Sequence, residues 1–216
     1  MKKTVLKNNV TEVVFILDRS GSMGGLESDT IGGYNSMLEK QKDTDGEINV
    51  TTVLFDDKVD LLYDNVPLKD VKKMTEKEYF VRGCTALLDA VGSTVDSVGK
   101  RHKKGIRPDK TLFVITTDGL ENASCEYSYA KVKKMIEKKK EKYNWEFLFL
   151  GANIDAVAEA GRLGINADKA VKFKSDKKGT QIHYNALAKA VCCFADAKCG
   201  SIDEDWKKEI EEYCES

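Results

Sequence analysis

The sequence lacks a long hydrophobic run: nowhere do its 216 residues reach the roughly 18 consecutive apolar residues that a membrane-spanning helix needs. The apolar core of a signal peptide is also missing, because residues 7–12 are mostly polar. These two absences predict a cytoplasmic protein without a membrane partner.

The cysteines and charges exclude two further kinds of site. The six cysteines lack Cys-x-x-Cys spacing, which argues against a zinc site, and in a reducing compartment we expect thiols rather than disulfides. The formal net charge is only -1, so no overall field attracts nucleic acid or anionic lipid. The lysines of residues 131–142 surround an apolar stripe without interleaved aromatics, which favours a solvated helix face. We therefore expect no nucleic-acid partner.

The hydrophobic pattern predicts alternating strands and helices. The predicted strands are 11–18, 47–55, 59–63, 109–117, 145–150 and 170–173, and the predicted helices are 26–42, 85–102, 127–143, 155–163 and 179–197. This order is typical of an α/β fold with a doubly wound, mostly parallel central sheet and helices on both faces. The close pair 47–55 and 59–63 adds one antiparallel edge strand.

The domain organisation follows from the same pattern. Residues 1–9 are predicted to be a polar lead-in and residues 10–198 to be the α/β domain. Residues 199–216 are predicted to be a C-terminal helical extension packed on the domain, because Ile202, Trp206, Ile210 and Tyr213 recur at helical spacing. The sequence carries no indication of the oligomeric state.

The first predicted strand ends in the segment Asp18-Arg19-Ser20-Gly21-Ser22. This segment places a carboxylate and two hydroxyls at the carboxyl end of a central strand, where ligand crevices of α/β sheets lie. Such hard oxygen donors suit Mg²⁺ or Mn²⁺. The plainer alternative is that Asp18 caps a helix and that the serines fill a polar turn.

Two later segments carry similar donors. Thr85 begins a predicted helix, and Asp118-Gly119 follows a second buried strand. Taken singly, Thr85 is an ordinary helix-start residue and Asp118-Gly119 an ordinary hairpin turn. Three such segments in this order, two of them directly after buried strands, are hard to explain as unrelated caps and turns.

These segments make the chain resemble a von Willebrand factor type A domain over roughly residues 10–174. The matching residues are Asp18, Ser20, Ser22, Thr85 and Asp118. The resemblance implies a doubly wound fold and a complete metal-ion-dependent adhesion site. In that family the two serine hydroxyls ligate the metal, the threonine ligates in the ligand-bound state, and the two aspartates act directly or through water.

The chemistry of such a site predicts binding rather than catalysis. Three neutral hydroxyls and two carboxylates held partly at a distance leave much of the charge of Mg²⁺ or Mn²⁺ unneutralised, so an open position attracts an acidic side chain of another protein. We therefore predict a metal-dependent protein-binding module that is not an enzyme. These segments also offer no evident general base.

Three alternatives remain open at this point. A phosphatase-like hydrolase would use Asp18, but it would need a second aspartate where Ser20 stands. Nucleotide binding is weakly suggested by residues 21–25, which lack the Gly-x-Gly-x-x-Gly spacing. The last alternative is a structural module whose site has lost its use.

Three other groups of polar residues are given ordinary structural roles. Asp56-Asp57 is predicted to be a plain turn. His102 is predicted to lie at the basic carboxyl end of its helix, where cations suit the helix dipole. His183 is predicted to be a surface or boundary residue.

Overall fold

The computed structural model describes residues 10–42, 44, 46–196 and 200–216. The predicted lead-in, the end of the helix predicted to reach residue 197 and the start of the predicted extension lie outside these residues. The strands are β1 (Val10–Asp18), β2 (Glu47–Phe55), β3 (Val59–Pro67), β4 (Lys110–Thr117), β5 (Glu146–Ala152) and β6 (Ala170–Phe173). The helices are α1 (Glu27–Gln41), α2 (Leu87–Lys103), α3 (Tyr129–Tyr143), α4 (Ala156–Arg162), α5 (Lys177–Ala195) and α6 (Lys208–Glu215).

The six strands form one sheet in the order β3-β2-β1-β4-β5-β6. Every neighbouring pair is parallel except β2 and β3, which are antiparallel. The predicted doubly wound sheet with one antiparallel edge strand is therefore confirmed. The chain winds outward in both directions from β1, so the carboxyl ends of β1 and β4 lie side by side, where such folds form their crevices.

Alternate residues of β1 supply the two halves of the core. Phe15 and Leu17 pack towards α1 and α5, whereas Val14 and Ile16 pack towards α2 and α3. Side chains of a strand point alternately to opposite faces, so a strand covered by helices on both sides must be apolar at every position. This requirement explains the unbroken apolar run of residues 13–17.

The C-terminal segment packs against the α1 and α5 side of the core. Ile202, Trp206 and Ile210 are buried in that core. The indole nitrogen of Trp206 donates a hydrogen bond of 3.0 Å to the carbonyl oxygen of Asp168, and Lys207 Nζ donates one of 3.1 Å to the carbonyl of Ala170 in β6. These contacts cover the β6 edge of the sheet, which would otherwise expose unpaired backbone groups.

Both histidines have surroundings that differ from the predictions. His183 is buried, with its ring 4.4 Å from that of Phe173 and 4.2 Å from that of Tyr184, so the predicted surface or boundary position is wrong. His102 lies at the end of α2 as predicted, but its Nε2 is 2.8 Å from Oε2 of the buried Glu12 in β1. Glu12 lies 90 positions from His102, so local charge patterns did not reveal this pair.

The cysteines only partly match the expectation of free thiols. Cys84, Cys125, Cys192 and Cys214 are free, whereas Cys193 is disulfide-bonded. In the part of the chain that the structure describes, no helix is both long enough and apolar enough to span a bilayer.

Candidate functional site

Three loops meet at the carboxyl edge of the sheet. They follow β1, precede α2 and follow β4. The Gly21 amide donates a 3.2 Å hydrogen bond to the Gly83 carbonyl, which joins the first loop to the second. The Asn122 amide donates one of 3.0 Å to the Thr85 carbonyl, and the Thr85 amide donates one of 2.9 Å to Asn122 Oδ1. The backbone itself therefore brings the three predicted segments together.

Four of the predicted site side chains form one chain of hydrogen bonds. Thr85 Oγ1 donates to Ser20 Oγ at 3.0 Å, and Ser20 Oγ lies 3.1 Å from Ser22 Oγ. Ser22 Oγ then donates to Asp118 Oδ1 at 2.5 Å. A Cβ at Gly119 would lie only 3.2 Å from Ser22 Oγ and from Thr85 Oγ1, so a glycine here leaves room around the cluster.

Asp18, the fifth predicted residue, is held beside this chain. Its Oδ1 accepts a 2.7 Å hydrogen bond from the Ser20 amide, and its Oδ2 accepts one of 2.6 Å from Thr117 Oγ1. Both carboxylate oxygens are therefore engaged in shaping the loop. Thr117 was not among the predicted site residues, although its place directly before Asp118 was the available signal. Tyr79 was missed as well, and its hydroxyl donates a 2.6 Å hydrogen bond to the Asp18 carbonyl.

Burial disfavours the charged forms of the carboxylates of Asp18 and Asp118. Burial raises the pKa of Asp18, and the charge of Asp118 adds to that rise, whereas hydrogen bonds from Ser20 and Thr117 oppose it. Burial likewise raises the pKa of Asp118. Asp118 Oδ2 is buried and accepts no hydrogen bond, and neither carboxylate forms an ion pair with any residue that the structure describes. Removing carboxylates from water without a counter-charge is unfavourable, so the cluster favours a cation.

The donor set fits a hard divalent cation. Within the described residues, no group of three or more His, Cys, Asp or Glu side chains is placed to hold a metal. The candidate site instead combines three hydroxyls with two carboxylates. Hydroxyl and carboxylate oxygens are ligands for Mg²⁺ and Mn²⁺, and the buried unpartnered oxygen of Asp118 lies within this set. The residues present therefore fit such a metal.

A buried ion cluster ties the first two loops together. Asp56 Oδ2 accepts hydrogen bonds from Arg19 Nε at 2.8 Å and from Arg82 Nε at 2.7 Å. Burial alone would raise the pKa of Asp56, but hydrogen bonds from Arg82, the Lys58 amide and Arg19 outweigh that effect and lower it. The predicted plain turn at Asp56-Asp57 is therefore an incomplete description, because Asp56 is fully buried.

The loop after β4 is also fixed by carboxylates. Glu121 accepts hydrogen bonds from the amides of Leu88 at 2.9 Å and Ser124 at 2.7 Å. Asp89 accepts bonds from the amides of Cys125, Glu126 and Tyr127, at 2.8, 2.9 and 2.8 Å. These hydrogen bonds anchor the loop that carries Asp118 to α2, and they therefore fix the position of Asp118 relative to Thr85.

Comparisons with known proteins support the fold. No family model matches the sequence, and no curated protein matches it. A structure of proximal thread matrix protein 1 from the mussel byssus, described as having a zinc-occupied MIDAS motif (the metal-ion-dependent adhesion site), matches with a TM-score of 0.60 and 14% identity, over 86% of this chain and 46% of that one. This chain therefore spans about half of the mussel protein's length.

Two other structures match in the same way. Manganese-loaded TRAP protein of Plasmodium vivax has a TM-score of 0.57 and 19% identity, over 81% of this chain and 72% of that one. A von Willebrand factor type A protein from Catenulispora acidiphila has a TM-score of 0.56 and 14% identity, over 85% of this chain and 43% of that one. At such identities the likeness establishes the fold alone, and the chain accordingly has the fold of a von Willebrand factor type A domain.

Proposed function

We propose that this protein is a metal-dependent protein-binding module. Asp18, Ser20, Ser22, Thr85 and Asp118 would hold Mg²⁺ or Mn²⁺ at the carboxyl edge of the sheet, and an acidic side chain of a partner protein would complete the site. The observation that carries the proposal is the buried, unpartnered Oδ2 of Asp118 at the end of a chain of three hydroxyls. Two of the similar structures are described as containing zinc or manganese, which supports a divalent cation in general.

The charge of the donor set favours capture of an acidic group. Both oxygens of Asp18 already accept hydrogen bonds from the protein, so this aspartate would orient the loop and act through water. Asp118, which is hydrogen-bonded to the hydroxyl chain, is then the carboxylate that would contact the metal, and the three hydroxyls are neutral. With Asp18 acting through water, Asp118 is the one carboxylate in direct contact and balances only half of the charge of a divalent cation, so a partner carboxylate is favoured at the open position.

The same geometry disfavours the hydrolase alternative. A nucleophilic aspartate needs an oxygen free to attack, whereas Asp18 is buried and both of its oxygens are hydrogen-bonded. Ser20, which stands where such an enzyme needs a second aspartate, cannot serve as its acid or base. We therefore propose a binding function without catalysis.

A peptide-binding experiment tests the proposal without a known partner. The full chain is applied to a random peptide array in Mn²⁺, in Mg²⁺ and in excess chelator. We expect binding to peptides that contain glutamate or aspartate only when metal is present. Replacement of that acid by glutamine or asparagine should abolish binding, because a neutral amide does not balance the metal charge.

Ser22→Ala tests the same site from the protein side. It removes one hydroxyl of the donor chain and leaves the fold's core unchanged. We expect this variant to lose metal-dependent binding. Peptide binding that persists in chelator, or that is unchanged by the acid-to-amide replacement, would show that the partner is recognised in some other way.

A further inference from the structure

The amino end of the sheet, opposite the proposed metal site, has a cavity of about 140 Å³ between α2, α3 and the start of β5. Its wall includes His102 and Lys103 at the end of α2, Arg107 in the following loop, and Lys139, Tyr143 and Trp145. Three of these side chains are permanent or near-permanent cations. The cavity is therefore a concave surface with concentrated positive charge.

Aromatic rings hold two of the cations in place. Lys139 Nζ lies 4.3 Å from the centroid of the Trp145 ring and 5.2 Å from that of Tyr143, and Arg107 Cζ lies 5.3 Å from the Tyr143 centroid. Trp145 is itself buried and stacked on Phe113, with centroids 5.0 Å apart. Cations over ring faces are attracted by the ring quadrupole, so the rings of Trp145 and Tyr143 restrict the positions of Lys139 and Arg107.

The three cations have no carboxylate of their own. Lys103, Arg107 and Lys139 form no ion pair or side-chain hydrogen bond within the described part of the chain. Burial lowers the pKa of Lys139, and the charge of Lys103 lowers it further. Asp96, whose charge acts in the opposite sense, is paired with Lys100 at 2.7 Å. An added anion would relieve this repulsion.

We propose that this cavity binds a small dianionic oxyanion of the phosphate class, either free or as the terminal group of a phosphomonoester. Its volume is below the roughly 300–1,000 Å³ typical of sites for drug-sized ligands, so it suits a single anionic group. The planar guanidinium of Arg107 and two ammonium groups match the several acceptor oxygens and double charge of a phosphate better than they match a carboxylate.

A simpler explanation is that these cations only complement helix dipoles at carboxyl ends. That explanation suits Lys103 in the last turn of α2. It does not explain Lys139, which precedes the last turn of α3 and turns its ammonium towards Gly99 of α2. A Cβ at position 99 would overlap this ammonium group, so the glycine makes room for it.

Titration of the full chain with inorganic phosphate tests the proposal, with ionic strength held constant with chloride. The signal is tryptophan fluorescence, because Trp145 lines the cavity whereas Trp206 lies in the other half of the core. Lys139→Met should weaken binding about tenfold or more, as expected for loss of a charge-assisted hydrogen bond. Lys138→Met on the same helix removes an equal charge from an exposed residue outside the cavity wall, and we expect its affinity to be unchanged within about twofold, in line with screening of exposed charges.

Gly99→Ala is the second variant, because it keeps every charge but displaces the Lys139 ammonium. Alanine is a better helix former than glycine, so this variant should fold and should still bind phosphate more weakly. O-phosphoserine, compared with inorganic phosphate, distinguishes a monoester group from the free ion. Absence of saturation at about 10 mM phosphate, a weak affinity by any standard, or equal losses in Lys139→Met and Lys138→Met would overturn the proposal.

Discussion

Asp118 is the residue whose chemistry most clearly distinguishes a metal site from a polar loop. One of its oxygens ends the hydroxyl chain, while the other is buried without a hydrogen-bond donor. A carboxylate that only terminated a turn would be expected to face solvent or accept backbone hydrogen bonds. The raised pKa of Asp118, caused by burial, shows that the charged form is disfavoured without a counter-ion.

Asp118→Asn should therefore separate metal binding from folding. We expect the affinity for Mn²⁺, measured by calorimetric titration, to fall at least about 100-fold, the upper end of what loss of a supporting group costs. The metal-free variant should be no less stable than the parent, because the neutral amide removes a disfavoured buried charge.

Asp70→Asn is the matched control for that measurement, because Asp70 is an exposed aspartate away from the three loops. Its Mn²⁺ affinity should equal that of the parent. An unchanged affinity in Asp118→Asn, or an equal loss in both variants, would remove this residue from the site.

At the scale of loops and helices, ion pairs between residues distant in sequence set the positions of the site loops. Arg19 lies inside the first site loop and Arg82 inside the second, and both share the buried carboxylate of Asp56. Both guanidinium groups also lie over the Phe80 ring, at 5.1 and 5.2 Å from its centroid. This cluster fixes the spacing of the loops independently of the metal donors.

Asp56→Asn should destabilise the fold, because it removes the buried charge shared by Arg19 and Arg82 and leaves the buried guanidinium of Arg19 with only the half-exposed Asp60. We expect the free energy of unfolding to fall by about 3 kcal/mol, a typical cost of breaking a buried ion pair. Urea unfolding measures the change. Arg82→Gln, which alters a partly exposed partner, should cost clearly less, and equal losses in the two variants would contradict this assignment.

Helix α5 contains the buried His183, and burial lowers the pKa of its imidazole to about 3 from an ordinary 6.5. The unfolded chain therefore binds a proton between these pH values that the folded chain does not. Stability from this group is fully present above about pH 7 and is lost as the pH falls towards 3, by about 2 kcal/mol at pH 5 on the linkage relation.

Urea unfolding at pH 7 and pH 5 tests this dependence. His183→Leu has no proton to bind, so its loss of stability between the two values should be about 2 kcal/mol smaller than that of the parent. The carboxylates titrate in both proteins and cancel in the difference. An identical pH dependence in the two proteins would show that His183 does not control it.

The elements also show why sequence predicted some features and missed others. Strand β1 was predictable because burial on both faces requires apolar residues throughout. The close approach of the loops after β1 and β4 was predictable because the carboxyl ends of neighbouring parallel strands lie at one edge of the sheet. Strand β3 continues to Pro67, beyond the predicted end at residue 63, because pairing with β2 rather than apolar content sets its length. Asp56 and the Glu12–His102 pair depend on partners 26 or more positions away, which no local pattern reveals.

The whole molecule is a sheet with different chemistry at its two ends. Across the described residues, the proposed site at the carboxyl edge has two carboxylates without a paired cation, and the cavity at the amino edge has three cations without a paired carboxylate. The formal net charge of -1 conceals this separation, because composition sums charges that the fold places far apart. The predicted parallel order of the strands is what allows the two edges to differ.

The proposed metal site is tested most directly by a crystal structure of the full chain grown with Mn²⁺, with diffraction data collected at the manganese absorption edge. An anomalous difference map should show one strong peak among the side-chain oxygens of Ser20, Ser22, Thr85 and Asp118. A map without a peak there, or with manganese only at other positions, would contradict the proposed metal-dependent site.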